Sequence, residues 1–157
     1  MSRVSTVIAV LVFLSVVAGS AAADGTMTID FSARAKIAKA EADIPATVSC
    51  ALLANQTSGS IIVTVEETSG SKTETGTGSA PIACDGTPHS YLVPVIVNDG
   101  HWHTGQATVS ATGDADGHTT VTTCGTDSNG NTVCDTTNVP EHDGGIASPG
   151  SITLENS

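Results

Sequence analysis

Hydrophobic and polar residues alternate with a period of two over much of this chain, and that period predicts strands. Thr26-Met27-Thr28-Ile29-Asp30-Phe31-Ser32 puts Met27, Ile29 and Phe31 on one face. Ala46 to Leu53 is a second strand region, and Ile61-Ile62-Val63-Thr64-Val65 is β-branched throughout. His89 to Val97 is another strand, with Pro94 marking an edge or a bulge because proline has no N–H for a ladder. Gly105 to Thr112 alternates through Ala107, Val109 and Ala111; His118 to Cys124 and Asn131 to Thr137 flank a turn; Gly150 to Leu154 ends the pattern with Ile152 and Leu154 on one face. Thr68 to Ser79 is polar and glycine-rich, which predicts an exposed hairpin or edge, and Asn98-Asp99-Gly100 is a turn signal. Ala33 to Asp43 is ambiguous. Its Ala, Lys and Glu favour helix, but Ile37 and Ile44 are the only large apolar residues and Pro45 follows closely. It reads as a continued strand and loop, with a short helix as the alternative. About eight short strands with turn signals at this spacing predict one all-β, antiparallel sandwich domain.

The N-terminus has a different pattern. Val7 to Ala18 is an apolar run interrupted by a single hydroxyl, Ser15, and Arg3 is the only charge before Asp24. Small residues Gly19 to Ala23 follow, so residues 1–23 read as a signal peptide cleaved between Ala23 and Asp24. The run is short for a membrane span, which takes about 20 residues, and no cysteine follows it for lipidation. The mature domain is then 24–157. Its 16 acids face four bases, Arg34, Lys36, Lys39 and Lys72, a balance of −12. That opposes binding to nucleic acid or to an anionic membrane, both of which need basic patches. Apolar supply is uneven too: beyond Trp102 the only large apolar residues are Val109, Val121, Val133, Val139, Ile146, Ile152 and Leu154.

Export places the four cysteines, Cys50, Cys84, Cys124 and Cys134, in an oxidising compartment, where they read as two disulfides. Four cysteines allow three connectivities. Turn chemistry favours one pair. If Cys124 lies opposite Cys134, Asp127 lies opposite Asn131 and the loop is Ser128-Asn129-Gly130, whose last position wants a left-handed residue. Cys50–Cys84 follows by exclusion. The chain-entropy model assigns about 3 kcal/mol to the short loop and about 4 kcal/mol to the long one. No Trp lies between Cys50 and Cys84, unlike antibody domains.

Candidate chemistry is sparse. His101-Trp102-His103, on a strand, would point two imidazoles to one face, a possible start for a metal site that His89 or Asp99 would complete. The competing reading has Trp102 covering the core and two exposed histidines. Asp127-Ser128-Asn129-Gly130-Asn131 starts like a calcium loop but has Thr132 at the sharp-turn position and Asn138 at the closing one; Asp114-Ala115-Asp116 fails likewise, and both read as turn residues. There is no Gly-x-Ser-x-Gly elbow and no His-Glu-x-x-His helix, Gly76-Thr77-Gly78 is followed by no Lys, and paired cysteines offer no thiol nucleophile. Asn55-Gln56-Thr57 is a glycosylation sequon ahead of a Ser58-Gly59-Ser60 turn.

Val48-Ser49-Cys50, the Ile61 to Glu66 strand, Ile82-Ala83-Cys84-Asp85-Gly86-Thr87-Pro88-His89 and Gly105-Gln106-Ala107-Thr108-Val109-Ser110-Ala111 stand in this order. The pattern resembles a group of uncharacterised secreted bacterial proteins, mostly actinobacterial, with an immunoglobulin-like β-sandwich. The resemblance covers most of the mature chain; the Ala/Lys-rich stretch after Phe31 departs from it. It implies a bridge like Cys50–Cys84 and supplies no catalytic residues. The expectation is a secreted, acidic, disulfide-stabilised binding or structural module. It needs no cofactor, and its partner is an extracellular protein, glycan or small molecule. The alternative is a small hydrolase or metal-binding protein using His101 to His103.

Overall fold

The computed structural model describes residues 26–157 and contains strands only. The expected signal peptide and its Ala23–Asp24 cleavage site lie outside the described residues. Eight strands follow in chain order: β1 (Thr28–Phe31), β2 (Arg34–Ala38), β3 (Glu41–Ser49), β4 (Ser58–Ser69), β5 (Lys72–Pro81), β6 (His89–Val97), β7 (Gly105–Thr126) and β8 (Thr132–Asn156). They form one hydrogen-bonded sheet in the order β1-β3-β2-β8-β7-β4-β5-β6, and a further β3–β6 pairing brings the order back on itself.

Period-two patterning builds the core. Ile61, Val63 and Val65 of β4, Val93 and Val95 of β6, and Ile152 and Leu154 of β8 are almost fully buried, while their neighbours face solvent. Cys50–Cys84 and Cys124–Cys134 are both formed. The first lies at the β3 end of the core. At the opposite end of the β4–β5 hairpin, Trp102 covers the interior, 3% exposed.

Several expectations need correction, four of them in the layout of the strands. Ala33 to Asp43 is neither one strand nor a helix: β2 and the start of β3 form a hairpin, with Ala38 opposite Glu41 and Lys39 in the left-handed region at φ 57°. The second strand region begins at Glu41 and stops at Ser49, so Cys50 to Leu53 is loop. The sheet is not wholly antiparallel, because β2 runs parallel to the end of β8, with Arg34 opposite Thr153 and Ile37 opposite Asn156. Ser58-Gly59-Ser60 opens β4 rather than making a turn; the turn is at Ala54–Asn55.

Pro45 and Pro94 lie where the ladder on one side of their strand is interrupted or ends. Pro45 sits in β3 between the residues that pair with β2 and those that pair with β1, and its carbonyl accepts the Ser32 N–H at 3.1 Å. Its missing N–H therefore faces the kink between β1 and β2. Pro94 follows the same logic, since β6 pairs with β5 only at Ile96 and Val97.

The largest departure is length. His118 to Cys124 and Asn131 to Thr137 are not separate short strands but the outer ends of β7, with 22 residues, and β8, with 25. β4 pairs with β7 only as far as Asp116, and β2 pairs with β8 only from Thr153 onward. Beyond the body, Thr120–Asn138 through Thr126–Thr132 pair only with each other, and every residue there from Thr120 to Thr126 and from Thr132 to Asn138 is exposed. The result is a two-stranded arm about 24 Å long at the usual strand rise.

Candidate functional site

His101-Trp102-His103 lies in a loop, not on a strand. Trp102 is anchored by its backbone N–H to the Lys39 carbonyl at 2.9 Å and by its indole N–H to the Val95 carbonyl at 3.3 Å. The two imidazoles still meet, with ring centroids 4.6 Å apart. His101 is exposed, and His103 is held by Glu67, whose Oε2 accepts the His103 backbone N–H at 2.9 Å and lies 3.4 Å from Nδ1. His89 is not brought to this group. It begins β6 while the histidine loop follows the end of β6, and it pairs with Asp85 at 2.9 Å. Hydrogen bonds from Thr87 and then His89 lower the Asp85 pKa to about 2.

Two buried acids lie beside the loop, and one of them, Glu74, falls in the Thr68 to Ser79 segment whose composition predicts exposure. Glu67 and Glu74 stand directly opposite each other across β4 and β5, 2% and 3% exposed. Their strands run out of apolar residues here, so the core-facing positions fall to carboxylates. Lys72 reaches Glu74 Oε1 at 2.6 Å, and this contact raises the Lys72 pKa. Glu67 thus anchors the loop that carries Trp102 over the core, and Glu74 pairs with Lys72 beside it.

Among the described residues, one group brings three metal-capable side chains within 4.8 Å: Asp114, Asp116 and His142, all exposed. Asp114 and Asp116 are not turn residues. They lie inside β7 on its outer face, and Asp116 is opposite His142 of β8. His142 Nδ1 is 3.0 Å from Asp116 and Nε2 is 3.6 Å from Asp114. The Asp116 hydrogen bond, with the charge of Asp114 added, raises the His142 pKa, and the same bond lowers that of Asp116. Both ring nitrogens are engaged by carboxylates, so the cluster is an ion-pair bridge across two strands. Asp127 does sit in a turn: its Oδ1 accepts the N–H groups of Asn129 and Asn131 at 2.9 and 2.8 Å, which lowers its pKa.

Two shallow surface depressions of about 270 and 340 Å³ flank β4 and β5. Ile62, Thr77, Gly78 and Ser79 line the first, and residues from Gln56 to Gly59 and Pro81 to Ala83 line the second; neither lining contains an acid, histidine or lysine. The sequon residue Asn55 is exposed, and its amide donates to the His118 carbonyl at 3.2 Å.

The arm is the feature with most free surface. Cys124 is directly opposite Cys134 with Cα atoms 3.9 Å apart, and the loop is closed by Asp127 N–H to the Asn131 carbonyl at 2.8 Å. Gly130 has φ 84°, the left-handed conformation that the loop requires. Cross-strand partners share a face. One face carries Thr120 and Asn138, Thr122 and Thr136, the disulfide, and Thr126 and Thr132; two hydroxyl contacts at 3.2 Å link the first two pairs. The other continues the core-facing side of β7 and β8 into solvent, with Val121 43% and Val133 55% exposed. Cysteine spacing located the tip, but no sequence signal measured how far the arm stands clear. Compared with protein-family models, with curated proteins and with solved structures, the chain matches none.

Proposed function

We propose that the protein is a secreted immunoglobulin-like β-sandwich that acts as a non-enzymatic binding or structural module, with the β7–β8 arm as its contact element. The observation that carries this reading is the arm itself: an extended ribbon, exposed on both faces, closed near its tip by a disulfide. An isolated two-stranded hairpin is marginal in water. This one adds little to the core, so a cross-link that keeps it extended serves presentation rather than folding of the body. The sandwich reading is supported by β1 pairing with β3 while β2, which keeps only three pairs with β3, runs parallel with β8, so that the first strand region passes from one group of neighbours to another. Two disulfides fit an oxidising compartment. A flat ribbon of hydroxyl, amide and isolated valine groups suits a protein or glycan surface better than a small molecule, which needs concavity.

The test replaces residues 121–137 with a short turn. The body should keep its unfolding midpoint, while saturable retention on the envelope or matrix of the producing cells is lost. Unchanged retention would overturn the assignment of the arm.

A further inference from the structure

We propose that the arm's partner is a second copy of this chain, joined edge to edge through β7 in an antiparallel, two-fold pairing; this rests on reading the arm as the contact element. The argument starts from the outer backbone of β7. In an antiparallel ladder alternate residues direct N–H and C=O away from the partner strand. Here these are the even-numbered residues. The Asp116 carbonyl accepts the Thr57 N–H at 2.8 Å, and His118 gives its N–H to the Ala54 carbonyl at 3.0 Å and takes the Asn55 amide on its own carbonyl. Bonding then stops. Thr120, Thr122, Cys124 and Thr126 direct four N–H and four C=O groups outward, and among the described residues none of these finds a partner.

Exposed strand edges are normally protected by charge, proline or a bulge. Thr119-Thr120-Val121-Thr122-Thr123-Cys124-Gly125-Thr126 has none of these: no charge, no proline and an unbroken register with β8. The β8 edge is protected, since Pro140 removes an outward N–H at the root and Asp135 lies midway along. The two edges of one ribbon therefore differ, and only β7 is left open.

A second copy suits this edge on charge grounds. The domain is strongly acidic, with 16 acids against few bases, so most self-contacts would set like charges together. An antiparallel β7–β7 pairing avoids this. It meets through the uncharged residues Thr120 to Thr126, sets Thr120 opposite Thr126 and Thr122 opposite Cys124, and puts the two bodies at opposite ends of a shared ribbon. That separation is about 24 Å by strand rise, about three times the screening length of about 8 Å at physiological ionic strength.

The test is sedimentation equilibrium on the oxidised protein expressed from the full-length sequence, with Thr122→Pro and Thr136→Pro as paired variants. Each proline removes one outward N–H and no β7–β8 hydrogen bond. The expected result is a monomer–dimer equilibrium that T122P weakens by at least about tenfold, while T136P leaves it unchanged. Amide exchange gives a second readout independent of either proline: the N–H groups of Thr120, Thr122, Cys124 and Thr126 should slow as protein concentration rises, and those of Cys134, Thr136 and Asn138 should not. A monomer at about 1 mM, with exchange independent of concentration, overturns the proposal. So does a dimer indifferent to T122P. If that dimer is nevertheless lost on shortening the arm, edge pairing fails while the arm survives as the contact element.

Discussion

Two residues in adjacent positions, His142 and Asp143, show how β-strand alternation separates roles. Asp143 faces inward and is fully buried. Burial pushes its pKa up, but donors outweigh burial: the N–H groups of Ala51 at 2.7 Å, Thr26 at 2.8 Å and Met27 at 3.1 Å, and the Thr26 hydroxyl at 3.2 Å, hold the carboxyl below its ordinary value. It ties the start of the described chain and the loop after β3 to β8. Asp143→Asn places an amide against these donors and should cost about 3 kcal/mol in urea unfolding at neutral pH. Because the folded pKa is depressed, this stabilisation is present above the unfolded value near 3.9 and is lost as pH falls through the folded pKa. The wild-type advantage over D143N should therefore shrink in acid; a constant gap would contradict the assignment. His142 faces outward and has the opposite sign. Its raised pKa stabilises the fold below the unfolded value near 6.5 and ceases to do so as pH rises through the folded one. NMR titration should place His142 above 6.5, and Asp116→Asn should lower it. Neither residue was legible beforehand. Asp116 and His142 meet only in a register set 26 residues apart, and an inward-facing acid contradicts the rule by which core positions are read.

At the scale of elements, the arm is an independent piece of stability. Replacing Cys124 and Cys134 by serine releases a constraint of about 3 kcal/mol in the chain-entropy model, but the arm makes almost no contact with the core. Hydrogen exchange should therefore accelerate across residues 119–139 with little change in the body; a matching drop in the body's unfolding midpoint would show that the arm supports the core after all. Gly130→Ala should act in the same place, costing about 1–2 kcal/mol for a left-handed residue with a side chain. The tip was legible because hairpin chemistry is local: the cysteine spacing and Gly130 lie within eleven residues of one another. The arm's length was not. Where both faces meet solvent there is no apolar alternation to count, so two long strands read as short ones. The β2–β3 hairpin escaped for another reason, since Lys39 adopts φ 57° where turn chemistry expects Gly or Asn. Parallel pairing of β2 with β8 depends on residues 119 apart, beyond any local signal.

For the molecule as a whole, the two ends of the core do different work. At one end Trp102 closes the interior against Gly76, where an added Cβ would come within 2.6 Å of the indole and overlap the Ile96 carbonyl. At the other end Cys50–Cys84 ties the loop after β3, and that loop braces the root of the arm: Ala54 donates to Glu141 at 3.1 Å, accepts from His118 at 3.0 Å, and is followed by Asn55 on the His118 carbonyl. The long-range disulfide thus sits where a projecting lever meets the body. The two closures can be separated. Trp102→Ala should cost about 3–5 kcal/mol of global stability, and under native conditions the amides of Ala54 and His118 should keep their protection relative to the rest of the body. Replacing Cys50 and Cys84 by alanine should cost a similar amount, about 4 kcal/mol, yet selectively expose those two amides. Hydrogen exchange on both variants checks this. Equal loss of protection at the arm root in both would make the clamp a contributor to stability alone. Selective loss in the cysteine variant would make it the fixture that sets the direction in which the arm points.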